Sequence, residues 1–251
     1  MPYILRRSFR ILPMYWISIA VIFLSETHWT IFDVTANATF IAPAVHAPRM
    51  SGVYWTLYIE VLFYVLVPLI WNLGNRAIVL ASYFLIAIYV VCWVAGITIS
   101  AAPFYLAYCF AGMQIGACTR HAVSRPRVAA SIATIVVASS ILPIVAPWFG
   151  LVPLASASLV WIALQYKVRF ALLELFAAVS YSWYLLHPIV GYPVVAAAQS
   201  FGHWQSVVLG VAASLVASII AFLVVEEPLI AVGKSLVEKY RHSFAVASAA
   251  K

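Results

Sequence analysis

Residues 55–69 read WTLYIEVLFYVLVPL. Fourteen of these fifteen side chains suit a lipid bilayer or its boundary, and the fifteenth is Glu60. The stretch does not alternate apolar and polar residues, as a strand of a transmembrane β-barrel would. Apolar runs of about twenty residues recur along the whole chain, which marks helical membrane spans. The 251 residues are 66% hydrophobic and 8% charged, with a mean hydropathy of +1.05. A water-soluble domain of this length cannot bury that much apolar surface. The expected fold is therefore all-α: a polytopic helical membrane protein.

Eight spans are expected, at roughly 11–25, 54–71, 77–98, 103–118, 128–146, 151–166, 170–190 and 206–226. An even number puts both termini on one side. With that side cytoplasmic, the inner segments hold Arg6, Arg7, Arg10, Arg76, Arg120, Arg125, Arg127, Lys167, Arg169, Lys234, Lys239, Arg241 and Lys251. The outer segments hold Arg49 alone. Thirteen against one follows the positive-inside rule. It also explains the net charge of +7 without nucleic acid as a partner. The first span, with a basic prelude and no small-x-small cleavage site, reads as a signal anchor.

The chain reads as a single transmembrane domain over 1–251, with 232–251 as a short cytoplasmic tail, and no tandem repeat or soluble domain. Cys92, Cys109 and Cys118 lie in or beside spans without ligand spacing, so they suit packing better than metal or disulfide chemistry. The longest outer loop, about 26–53, contains Pro43 and Pro48, which break helices. Its Asn37-Ala38-Thr39 matches a short glycosylation pattern that is common by chance. Trp29, Tyr54, Trp55, Trp148 and Trp204 sit near outer boundaries, as interface anchors do.

Four polar features remain. In RRSFRILPMYW (6–16), Arg7 and Arg10 are three apart on one helical face. That pair is either an ordinary positive-inside anchor or a clamp for a phosphate. Pro13 suits the start of a helix. Glu60 lies about 9 Å below Tyr54, in the outer half of the bilayer, with Tyr64 one turn on. A carboxylate there is a functional-site hypothesis, the alternative being a bond to a neighbouring helix. In SYSWYLLHP (180–188), His187 stands near the outer end of a span, with Ser180 and Tyr184 on its side. It can be an acid–base group or a structural hydrogen bonder. In VVEEPL (224–229), Glu226 and Glu227 close the last span, Pro228 ends it, and a basic partner is expected to offset carboxylates at a helix C-terminus. No GxSxG, HExxH or P-loop occurs, and no discontinuous-helix pathway with repeated halves is evident.

In this order, with SGVYWTLYIEVLFYVLVPL (51–69) and FYLAYCFAGMQIG (104–116), these stretches resemble the acyltransferase 3 family of integral-membrane O-acyltransferases. The resemblance implies a ten-helix core that transfers an acyl group, usually acetyl, from acyl-CoA to a hydroxyl of a cell-surface carbohydrate. The setting it implies is a bacterial inner, or cytoplasmic, membrane. It implies that Arg7 and Arg10 bind the CoA phosphates and that Glu60 belongs to the functional core. The expected partners are thus acyl-CoA, a carbohydrate acceptor and membrane lipid, with no metal. The family's first two helices precede the arginine-rich entry, and the first carries a catalytic histidine. This sequence opens at MPYILRRSFR, so the expectation is a domain incomplete at its N-terminus and lacking that base when alone. His187 and His46 are the outer-side candidates for a substitute. The rival readings are a non-catalytic membrane component that binds or exports a polysaccharide or lipid-linked sugar, and a small-solute transporter.

Overall fold

The computed structural model describes residues 2–97, 99–119, 123–141, 151–166 and 170–249. Among them there is no strand. The helices are α1 (Pro2–Ser25), α2 (Ile31–Ala38), α3 (Tyr54–Asn72), α4 (Asn75–Val94), α5 (Ala102–Thr119), α6 (Arg125–Ile141), α7 (Leu151–Tyr166), α8 (Ala171–Leu186), α9 (Tyr192–Ala197), α10 (His203–Ala221) and α11 (Glu227–Ala249). Two π turns, His187–Gly191 and Phe222–Glu226, join α8 to α9 and α10 to α11.

A helix covers most of the described part of each expected span, although α4 ends at Val94, short of the expected 98, and α8 starts one residue after the expected 170. Among the described residues, four segments are long and apolar enough to cross a membrane: Tyr3–Ser25, Tyr54–Asn72, Asn75–Val94 and His203–Tyr240. Residues 142–150, and with them Trp148, lie outside the described residues, as do Arg120, Lys167, Arg169 and Lys251.

The chain divides into two compact units: Met1–Tyr58 with Arg169–Lys251, and Ile59–Val168. In the first, α1 packs against α8, α11, the second π turn and α2. In α10, Ser206, Gly210, Ser214 and Ser218 are buried at every fourth position. Such a small-residue stripe lets helix backbones approach closely. A Cβ on Gly210 would stand 2.9 Å from the Gly191 carbonyl oxygen of the first π turn. Likewise a Cβ on Gly233 of α11 would meet the Phe9 Cβ of α1 at 2.8 Å. In the second unit, Ile86, Phe104, Ala107, Ala111 and Ile135 form a core across α4, α5 and α6. Buried Gln114 donates to Ser82 at 2.8 Å, a polar tie inside that unit.

Several expectations need correction. Pro13 is not early in its helix: α1 starts at Pro2, so Pro13 is interior and the Phe9 carbonyl loses its helical donor. Pro228 does not end the last helix. It stands second in α11, and the π turn before it absorbs the misfit. The outer loop holds a helix despite its prolines: Thr30 and Asp33 form a capping box at the start of α2. Asn37 is buried, donating to the carbonyls of Asp33 (2.8 Å) and Pro48 (3.0 Å), so its amide is engaged in the loop and not offered for glycosylation. Tyr54 is a core residue, not an anchor. It is buried, its hydroxyl is 2.8 Å from Ser18 Oγ, and its ring stands edge-on to Tyr15.

Candidate functional site

His187 and its neighbours show how sequence dictates a poised side chain. In a regular helix the N–H of residue 188 would bond the Tyr184 carbonyl, but residue 188 is proline and has none. The His187 Nδ1 sits 2.9 Å from that carbonyl and 3.3 Å from the Trp183 carbonyl. A carbonyl only accepts, so in the neutral form of the ring Nδ1 carries the proton and Nε2 the lone pair. Half-buried His187 lines a cavity of about 700 Å³ with Ser180, Trp183, Tyr184, Gly191 and Ser214. The Trp183 indole N–H donates to Ser214 Oγ at 3.0 Å, fixing α8 to α10. The Tyr184 hydroxyl donates to the Val53 carbonyl at 2.8 Å and contacts the Thr56 hydroxyl. The wall of the cavity beside His187 is therefore anchored on both sides.

Tyr181 stands six residues back along α8 from His187, about 9 Å at 1.5 Å per residue. There the Tyr181 hydroxyl donates to the Ile11 carbonyl at 2.8 Å, one residue after Arg10. Arg10 is exposed, and Arg7 is half-buried with its guanidinium 5.7 Å from the Tyr3 ring centroid. That is a cation–π contact. Next to Tyr181, Ser182 donates to Glu226 Oε2 at 2.5 Å. Glu226 is 1% exposed, its Oε1 has no partner, and Arg10 is the cation whose charge acts on it. Among the described residues, Arg10 of α1 is thus the candidate for the compensating base expected for this carboxylate. No ion pair within 4.0 Å joins them among the described residues.

Glu60 belongs to the second unit. It is half-buried and accepts a hydrogen bond from the Tyr64 hydroxyl one turn on, as the shared face predicts. Of the four residues singled out for chemistry, Arg7, Arg10 and His187 share the first unit and Glu60 does not. His46 is exposed, with a left-handed backbone (φ 54°). Sequence reasoning passed over Ser182, although it stands inside the quoted SYSWYLLHP. Its signal was a small polar residue buried on the same helix as a proline-marked histidine. Among the described residues no group of three or more His, Cys, Asp or Glu gathers to hold a metal ion.

Comparison with known proteins agrees with these motifs. ORF330 of Acidianus two-tailed virus, which carries acetyltransferase in its name, is 32% identical over 78 residues. That match covers 29% of this chain and 24% of the viral protein, so the chain aligns with about a quarter of that relative's length. No solved structure matches. The family model described as an acyltransferase domain matches residues 1–227, a stretch that includes Arg7, Arg10, Glu60, His187 and Glu226. The chain belongs to the acyltransferase 3 family.

Proposed function

We propose that this protein is a membrane O-acyltransferase that moves an acyl group, acetyl in the first instance, from acyl-CoA to a hydroxyl of a cell-surface carbohydrate. It acts as a multi-pass protein of the inner, or cytoplasmic, membrane. The observation that carries this reading is His187, whose Nδ1 faces a backbone carbonyl, a pairing that assigns the acceptor role to Nε2 in the neutral ring, beside a cavity.

The chemistry follows from that tautomer. Nε2 takes the proton of the acceptor hydroxyl as its oxygen attacks the thioester carbonyl. The C–O bond forms, the tetrahedral oxyanion collapses, and the C–S bond breaks. The departing CoA thiolate recovers the proton from the imidazolium. The sugar ester and CoA thiol leave, and no metal or redox partner is needed for balance. Arg7 and Arg10 bind the phosphates of the donor, for which planar guanidinium donors are suited. Glu60, hydrogen-bonded to Tyr64, keeps an orienting role in the functional core.

The test is acyl-CoA-dependent O-acetylation of surface glycan by the chain and by its His187→Ala, Arg10→Ala and Glu60→Gln variants. Loss of ester formation in the first two and a marked decline in the third is expected. An inactive parent chain that still binds glycan would overturn the proposal in favour of a non-catalytic glycan-binding component. Uptake of a small solute that survives Arg7→Ala would favour transport.

A further inference from the structure

The most unusual polar group in the first unit is Glu226. It is a carboxylate at 1% exposure, in a π turn, with one oxygen bonded to Ser182 and the other bonded to nothing. Burying a carboxylate oxygen without a partner costs about 1–3 kcal/mol or more, so a group kept in that state needs a reason. Its surroundings supply one. Two adjacent residues of α8 face two different elements: Tyr181 ties down the Ile11 carbonyl of α1, and Ser182 ties down Glu226. The turn of α1 that bears Arg10 and the π turn that bears Glu226 are thereby fixed to one short piece of helix. Both α1 and α8 pack against that π turn. On the far side, Phe9 of α1 sits against Gly233 of α11, where no side chain larger than hydrogen fits without displacement. The turn of α1 that bears Arg10 is therefore held against the element that bears the unbonded oxygen, while the Arg10 guanidinium remains exposed.

We propose that Glu226 is a positioning residue for Arg10: its unbonded oxygen takes one N–H edge of the guanidinium and turns the remaining donors toward the phosphates of the acyl donor. The inference rests on the reading of Arg7 and Arg10 as the donor-binding pair. A guanidinium carries five N–H donors in a rigid fork, so one edge can be held by a carboxylate while another binds phosphate. The carboxylate lowers the net charge seen by the phosphate but removes the rotamer freedom that a long side chain loses on binding. The proposal states that the second effect wins. The π turn is what makes this possible, since it displaces Glu226 from the register of a regular helix.

The experiment uses the full chain in detergent or nanodiscs and CoA itself as the probe. Binding is followed directly, and KM for acetyl-CoA and kcat are measured in parallel. Glu226→Gln keeps the volume and the bond to Ser182 but removes the charge. It is expected to weaken CoA binding roughly tenfold and to raise KM with kcat little changed, the mark of lost donor binding. In a double-mutant cycle, Arg10→Ala with Glu226→Gln is expected to bind CoA no worse than Arg10→Ala alone, because coupled residues are not additive. Ser182→Ala, which leaves the carboxylate in place but unanchored, is expected to give an intermediate loss. CoA binding unchanged or strengthened in Glu226→Gln, or losses that multiply in the cycle, would overturn the proposal while leaving the donor role of Arg10 intact. CoA binding unchanged in Arg10→Ala itself would overturn both the donor reading and this inference. Thermal unfolding midpoints within a few degrees of the parent identify variants whose changes are not those of misfolding.

Discussion

At the scale of single residues, three polar side chains in apolar helices show that the type of residue says less than its hydrogen bonds. Glu60 has a tyrosine hydroxyl one turn away, Glu226 a serine from another helix, and His187 a carbonyl that proline has freed. The histidine allows its structural and chemical roles to be separated. An asparagine amide N–H can replace Nδ1–H against the Tyr184 carbonyl but has no base at the Nε2 position. His187→Asn is expected to keep the unfolding midpoint within a few degrees and to lower acyl transfer by about 10²–10⁴-fold. His187→Ala loses both, with about 1 kcal/mol of stability in addition. Full activity in His187→Asn would sink the assignment of the base. Outside the spans, Asp33 makes a pH prediction. Its bonds from the Thr30 hydroxyl and backbone N–H hold its carboxyl below the usual carboxylate range. A carboxyl whose folded pKa is depressed adds stability that is present above its unfolded value, about 3.9, and is lost as pH falls through the folded one. The cap on α2 is thus expected to be intact at neutral pH and to loosen only below about pH 4, read by amide hydrogen exchange over residues 31–38. In Asp33→Asn that acid step should vanish.

At the scale of elements, close helix approach sets what each position tolerates. A Cβ on Gly210 would meet Val195 Cγ2 at 2.4 Å and the Gly191 carbonyl oxygen at 2.9 Å, and a backbone carbonyl cannot move aside. Gly210→Ala is expected to destabilise the protein by about 1–3 kcal/mol through overpacking. Gly112→Ala in α5 is the control: a Cβ there meets nothing within 4 Å, and helix propensity should add up to about 1 kcal/mol. Equal unfolding midpoints for the two variants would refute the tight crossing. Such elements were legible in the sequence wherever hydropathy alone decides them. The stretch at 55–69 lies in α3, and the run at 151–166 matches α7 residue for residue. Positions set by side-chain hydrogen bonds were not legible. The capping box at Thr30 and Asp33 outweighs nearby prolines, and no apolar period announces a π turn. Pro228 was read by the general rule that proline ends a helix, whereas a widened turn four residues earlier lets the helix continue. The site was legible to the same extent: the arginines, Glu60 and His187 stand out by residue type, but the Ser182–Glu226 bond joins residues 44 apart.

At the scale of the whole molecule, charge and hydropathy together predict a sidedness that can be measured. Among the described residues, four segments are long and apolar enough to cross a bilayer. The 38 residues of His203–Tyr240 exceed the roughly 20 that a membrane core requires. The surplus falls where Lys234 and Lys239 lie, on the side that the positive-inside rule assigns to the cytoplasm. At the other end of the same segment, Gly202 and exposed Trp204 mark the opposite boundary. A single crossing between them requires positions 204 and 239 to lie on opposite faces of the membrane, and the eight-span orientation expected from the charge distribution groups 49 with 204 and 76 with 239. The prediction is tested by single-cysteine labelling in intact cells, in a background with Cys92, Cys109 and Cys118 replaced by alanine or serine. Arg49→Cys and Trp204→Cys are expected to react with a membrane-impermeant maleimide from outside. Arg76→Cys and Lys239→Cys are expected to react only after permeabilisation. If Lys239→Cys and Trp204→Cys were labelled from the same side, the long segment would not cross as a unit. If Arg49→Cys were labelled only after permeabilisation while Arg76→Cys reacted from outside, the whole orientation would be inverted. Arg7 and Arg10 would then face away from the cytoplasmic pool of acyl-CoA, and the donor reading would fail on topology alone.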